Sequence, residues 1–106
     1  MINDSELIRL SKEGDLDSFN QLVESFKRPV FNLAIRMLGD YQAAEDASQE
    51  AFFSAWRNLG AFRGAGFKTW LLRITANVCH DELRRRKNRV AISLENEVLE
   101  IGRAHV

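Results

Sequence analysis

The chain has 106 residues, the size of one domain. At 45% hydrophobic and 28% charged, it can bury a compact core and is too apolar for general disorder. Fifteen basic and fifteen acidic residues cancel to a formal net charge of zero, which excludes a uniformly basic nucleic-acid coat and an acidic solvating tail.

The average hides an asymmetry. Residues 1–60 carry 6 Lys/Arg and 10 Asp/Glu, a net of −4, whereas residues 61–106 carry 9 and 5, a net of +4. Between Arg63 and Arg89 the count is 8 basic against 2 acidic. Such a chain can serve two partners of opposite sign, with nucleic acid facing the basic half; two solvated faces give the same count. Cys79 stands alone, so there is neither a disulfide framework nor a clustered-thiol metal site, and a buried, inert thiol is expected. No apolar run approaches bilayer length and the first residues carry no signal-peptide pattern. The chain therefore reads as soluble and cytoplasmic, without membrane insertion. One Pro and six Gly leave room for few turns and favour helices.

The first predicted helix spans about Asp4 to Glu13. Asn3 and Glu6 have capping-box spacing, Gly14 offers a stop, and Leu7, Leu10 and Ile8 form a narrow apolar stripe. The second spans about Asp17 to Leu38, with Phe19, Leu22, Val23, Phe26, Val30, Leu33, Ala34, Met37 and Leu38 at three- and four-residue steps. Pro29 removes a backbone donor and should kink or split it; the unbroken apolar period favours a kink. Gly39-Asp40 then ends one helix and caps the next. The third spans about Gln42 to Asn58. Ala43, Ala44, Ala47, Ala51 and Ala55 make one side small, while Phe52, Phe53 and Trp56 cannot all face one core, so one belongs at the surface. A loop with three glycines, Gly60 to Gly66, holds Phe62 and Arg63. The fourth helix spans about Lys68 to Lys87, with Trp70, Leu71, Ile74, Val78 and Leu83 on one face. Its basic end, Arg84 to Lys87, suits the helix dipole. Beyond Arg89 a linker of weak helical content is expected. The fold class is all-α: a compact bundle of three main helices plus a short N-terminal one.

No catalytic constellation emerges. His80 and His105 lack ligand spacing with Cys79 or the carboxylates, and no glycine motif matches a nucleotide-binding loop. The reading is a non-enzyme with no metal and no cofactor. On the third helix Asp46, Gln49 and Glu50 lie three and four residues apart, followed by Phe53 and Trp56. A polar cluster beside exposed aromatics suits a protein interface, although by spacing alone a solvated helix face is the better fit. Further on, Phe62, Arg63, Phe67, Lys68, Thr69, Trp70, Arg73, Asn77 and the basic run interleave aromatics with cations. Single-stranded nucleic acid calls for that mixture: bases stack on rings, cations meet phosphates, amides read base edges. The glycine loop can hold an unstacked base. A solvated basic face with Trp70 in the core fits the same spacing.

Several blocks together resemble a known family. Ala44-Glu-Asp-Ala-Ser-Gln-Glu-Ala-Phe52, Ala55-Trp-Arg-Asn-Leu59, Phe62-Arg-Gly64, Thr69-Trp-Leu-Leu-Arg-Ile-Thr-Ala-Asn77 and Asp81-Glu-Leu-Arg-Arg85 are similar, in order and spacing, to region 2 of bacterial RNA polymerase sigma factors of the extracytoplasmic-function (ECF) class. The resemblance covers roughly residues 5–90, with Gly14-Asp15, Phe19 and Arg36-Met-Leu-Gly39 also in the family's manner. It implies that the third helix docks on the clamp coiled coil of the polymerase β′ subunit through Asp46, Gln49, Glu50, Phe53 and Trp56. It implies that the loop and fourth helix bind and melt the promoter −10 element. The stretch Phe62–Lys68, including Arg63 and Phe67, would hold a flipped base of the non-template strand. Asn77 would read sequence, with Thr69 on the same surface. Lys68, Arg73, Arg84 and Arg85 would hold phosphates. Trp70 would belong mainly to the supporting core. An anti-sigma factor is a further implied partner.

On this reading residues 1–90 form the region 2 domain and residues 91–106 a linker and tail. Family members carry a second helical domain that reads the −35 element, and the chain stops before it. The ending Glu100-Ile-Gly-Arg-Ala-His-Val106 matches what a sequencing adapter read in frame would encode, so a non-native tail after Leu99 is expected. Two rivals remain. A helix-turn-helix duplex binder would bind DNA tightly without polymerase. A helical protein-interaction module would show no salt-dependent DNA binding.

Overall fold

The computed structural model describes the backbone of residues 2–104 and the side chains of residues 2–101. Each early helix starts or stops where local chemistry demands it. The Asn3 side chain accepts the Glu6 amide at 2.9 Å and so begins α1 (Asp4–Lys12). Asp15 precedes α2 (Leu16–Leu38), where its carboxylate accepts the Ser18 hydroxyl at 2.7 Å. The helix runs unbroken through Pro29, so the proline does not split it. Gly39 closes α2 at φ 70°, a left-handed conformation that costs glycine nothing, and its amide donates to the Ile35 carbonyl at 2.8 Å. Asp40 then accepts the Ala43 amide at 2.8 Å and opens α3 (Tyr41–Asn58). A single 3-10 turn, Leu59–Ala61, leads into the glycine loop, and α4 (Phe67–Ala104) is the last element among the described residues.

Helix α2 is the centre of the bundle and packs against α1, α3 and α4, while α3 and α4 pack on each other. One core cluster joins Leu7, Phe19, Leu22, Val30, Ala51, Ala55, Leu59, Phe62, Phe67 and Leu71. A second joins Ala34, Leu38, Ala44, Ala47 and Cys79. Every fully buried residue of α3 is an alanine. Small side chains on that face let the helix lie close against its neighbours. Of Phe52, Phe53 and Trp56, Phe53 is the one at the surface, at 57% exposure. The all-α class and the four expected helices are present, and the described residues contain no strand.

Helix α4 departs from expectation. It continues to Ala104 rather than ending near Lys87, and replaces the weakly helical linker expected after Arg89. No proline and no glycine interrupt residues 88–101, so nothing in the local chemistry breaks the helix. Nothing covers it either: residues 87–101 are all exposed, including Val90, Ile92, Leu94 and Val98. At ~1.5 Å per residue, such a helix accounts for much of the molecule's 72 × 23 × 21 Å extent. The expected non-native tail lies largely beyond the described side chains, and His105 lies outside the described residues. Among the described residues no helix is long and apolar enough to cross a membrane.

Candidate nucleic-acid interface and docking helix

The charge asymmetry of the sequence becomes two adjoining surfaces. The solvent side of α3 presents Glu45, Asp46, Gln49 and Glu50, all exposed. That of α4 presents Arg73, Asn77, Arg84 and Arg85, also exposed. The two meet along a groove of about 560 Å³, where Glu50 and Ser54 of α3 face Asn77, Asp81 and Arg85 of α4.

The five residues expected to dock on a protein divide over the exposed half of α3. Asp46 and Phe53, seven residues apart, run along its crest, where Gln42 donates to the Asp46 carboxylate at 3.1 Å. Gln49 and Asp46 border a second groove of about 770 Å³ against α2, floored by Val23, Phe31 and Phe52. Glu50 turns to the opposite flank, toward α4, and pairs with Arg57 at 3.1 Å. Trp56 is half-buried and rests on Phe19, with ring centroids 5.0 Å apart. It thus braces the bundle more than it extends the docking surface.

The loop after α3 makes a pocket. Ala61, Phe62, Arg63, Ala65 and Gly66 from the loop, with Thr69, Trp70 and Arg73 from α4, enclose an open space of about 390 Å³. Gly66, at φ 86°, makes the last bend, and its carbonyl accepts the Trp70 amide at 3.0 Å to start α4. A side chain there would be strained by backbone conformation alone. The pocket is large enough for one nucleobase and is bordered by a cation, a hydroxyl and aromatic edges.

Two expected base-stacking residues take another role. Phe62 and Phe67 are buried, at 4% and 7% exposure, and neither offers a ring face to an incoming base. They pack edge-on to each other, each also touches Trp70, and Phe67 meets Phe26 of α2. Aromatic rings in a loop next to a core gain more by burial than by waiting in water. Trp70, expected mainly in the core, is half-buried and lines the pocket. Arg63 also folds back on its own loop, donating to the Gly60 carbonyl at 2.6 Å.

The other expected DNA contacts sort by helical position. Arg73, Asn77 and Arg84 stand four and seven residues apart and share one side of α4 with the pocket-lining Thr69. Lys68, nine residues before Asn77, falls on the opposite flank of the helix and does not join them. Arg85 points toward α3 and the interhelical groove. Arg84 pairs with Asp81, and Glu82 gathers Arg85 at 3.3 Å, Arg86 at 3.6 Å and Arg89 at 3.2 Å. Most of these arginines are well exposed, and pairs of that kind are weak and readily exchanged for a phosphate. Arg86 is the exception: it is half-buried and donates to the Leu38 carbonyl at 2.9 Å, tying α4 to the end of α2.

Sequence reasoning placed Ala61 and Ala65 in the base-holding loop without singling them out as pocket walls, and it missed Lys12. The Lys12 ammonium donates to the Phe62 carbonyl at 2.5 Å and sits 5.6 Å from the centroid of its ring. Fifty residues separate the two, so no local pattern signals the contact.

Fold and surfaces define an all-α domain with an acidic helix beside a basic, pocket-bearing one. The chain matches the family described as Sigma-70 region 2 over residues 22–89, and it belongs to that family. It is 41% identical over 81 residues to the ECF RNA polymerase sigma factor SigW of Bacillus subtilis (strain 168), covering 76% of this chain and 43% of that protein. It is 36% identical over 110 residues to the ECF RNA polymerase sigma-E factor of Escherichia coli (strain K12), covering 97% of this chain and 56% of that protein. The chain spans about half the length of the curated relatives it matches. Among solved structures it is similar to an engineered region 2 of sigmaE in complex with GTAAAA, at TM-score 0.79 and 32% identity, covering 83% of this chain and 93% of that one.

Proposed function

We propose that this domain recognises and helps melt the promoter −10 element after docking on RNA polymerase. The observation that carries the reading is the juxtaposition, on one side of α4, of a base-sized pocket with Arg73, Asn77 and Arg84. The arginines meet phosphates and hold the strand in register, Asn77 reads a base edge, and the pocket receives a base turned out of the stack. Capture of that base offsets part of an unstacking cost of roughly a few kcal/mol. The similarity to a sigmaE region 2 in complex with GTAAAA supports this assignment.

Docking falls to α3. Asp46, Gln49, Glu50 and Phe53 present an acidic and aromatic face suited to the coiled coil of the β′ clamp, with Trp56 as its brace. Docking would bring the basic face of α4 over the upstream edge of the bubble, which compensates for weak binding of DNA by the isolated domain. An anti-sigma factor would act by covering either face. The site of action is the cytoplasm, where polymerase and chromosome meet. No covalent step is required of the domain. Residues 1–90 carry these roles, with residues 91–106 as linker and tail.

Two binding experiments test the reading. A labelled single strand bearing a −10 sequence should bind better than the matching duplex, with affinity falling as salt rises. Core RNA polymerase should retain the domain on co-purification. Equal binding of duplex and single strand, with no retention by polymerase, would replace this reading with that of a duplex binder.

A further inference from the structure

We propose that Lys12 is a positioning residue for the base-holding loop: from α1 it fixes the Phe62 carbonyl and so presets the pocket. The inference rests on the base-binding reading above and adds a residue to it from outside residues 22–89, the stretch that matches the family.

The loop has little holding it from within. A backbone bond from the Phe62 amide to the Leu59 carbonyl, 3.1 Å, closes the 3-10 turn before it. The Gly66–Trp70 bond starts α4 after it. Between them Arg63 reaches back to the Gly60 carbonyl at 2.6 Å and, with a longer bond of 3.4 Å, to the Phe62 carbonyl, which ties the loop only to itself. Lys12 adds a hydrogen bond from a packed helix to a loop whose Phe62 and Phe67 rings already sit in the core. Its ammonium donates to the Phe62 carbonyl at 2.5 Å while standing over the edge of the aromatic cluster, 5.6 Å from the Phe62 ring centroid. Helix α1 is itself anchored by Leu7 in the core, with Ser11 buried beside it.

The consequence is mechanical. Phe62 forms one wall of the pocket, and its buried ring leaves the backbone carbonyl as the part free to turn. A charged donor on that carbonyl fixes the peptide plane between Phe62 and Arg63, and with it the direction in which Arg63 and Ala65 enter the pocket. A preset pocket loses less freedom on capturing a base, so it discriminates more sharply. A lysine near DNA would ordinarily be assigned to a phosphate. Here the ammonium is spent on a carbonyl of the protein's own loop.

The two roles separate experimentally. The full chain would be compared with Lys12→Met, which keeps length but loses charge and donor, and with Lys12→Arg, which keeps both. Two readouts are needed: amide hydrogen exchange across Phe62–Gly66, and the binding of labelled single-stranded GTAAAA and its single-base variants over a salt series. Lys12→Met should speed exchange of the loop amides about tenfold, with those of Leu22, Ala51 and Leu71 unchanged. It should also compress the affinity spread among base variants about tenfold while leaving the salt slope unchanged. Lys12→Arg should restore both. Unchanged loop exchange, or a salt slope lowered by about one with base discrimination intact, would overturn the proposal and make Lys12 a phosphate contact. If the wild-type chain bound none of the oligonucleotides, the base-binding reading would fall, and loop exchange alone would decide whether Lys12 holds the loop.

Discussion

Phe62 meets Phe67 edge-on, with ring centroids 5.5 Å apart and ring planes at 88°. The two residues bracket the glycine loop, so their contact closes it into a ring stapled to the core. The loop is therefore shaped from below by buried aromatics, and its open side is left to Arg63, Thr69, Trp70 and Arg73.

Replacing Phe62 by alanine should accordingly act first on stability. A buried phenylalanine truncated to alanine costs about 3–5 kcal/mol, partly through the cavity it leaves. Phe62→Leu should lose less, because it refills much of the space. Urea unfolding of both variants checks this. A stable Phe62→Ala protein that had lost only single-strand binding would show that the ring reaches the ligand directly.

On α3, Gln49 borders the groove toward α2 while Glu50 borders the groove toward α4. The double change Gln49→Ala, Glu50→Ala should weaken retention by core polymerase and leave unfolding free energy within about 0.5 kcal/mol, since both residues are exposed. The single changes then locate the contact. A dominant loss from Gln49→Ala assigns the α2 flank to docking, and one from Glu50→Ala assigns the α4 flank. Full retention of the double variant would remove α3 from the polymerase interface.

Asn77 and Arg84 share a face of α4 but should fail differently. Asn77→Ala should reduce discrimination at one base position by about 1–3 kcal/mol with the salt slope kept. Arg84→Ala, after release from Asp81, should weaken all sequences alike and lower the slope by about one. Affinities for a panel of single strands at several salt concentrations separate the two signatures.

Cys79 is buried between α2, α3 and α4, and burial pushes its thiol pKa up. The neutral thiol is thus favoured in the folded state. Its contribution is complete below the ordinary thiol range and declines as pH rises through that range, because only the unfolded chain ionises freely. A thiol reagent at mildly alkaline pH should modify Cys79 no faster than the domain opens, and Cys79→Ala should remove this part of the alkaline loss of stability. Rapid labelling of folded protein would contradict the burial.

Much of the framework was legible locally. The capping roles of Asn3 and Asp40, the left-handed Gly39 and the alanine face of α3 depend on near neighbours and on helical period, both of which a sequence displays. The blocks from Ala44 to Arg85 likewise identified the family that the comparisons confirm. The length of α4 was underestimated: the lack of a breaker in residues 88–101 was there to read, but a stretch with no covering neighbour reads as a linker.

The site divides in the same way. Sequence by itself determined which residue types were available: a basic run, a glycine loop with aromatics, and an acidic helix. Only the tertiary structure decided which of them face solvent. Spacing that suits a stacking platform also suits a core, and burial withdrew Phe62 and Phe67 while leaving Trp70 half exposed at the pocket. Lys12 joined the loop by a contact across fifty residues, which arises because α1 and the 3-10 turn pack together. Side-chain burial and long-range hydrogen bonds depend on how helices are placed against one another, and no periodicity along a single helix carries that information.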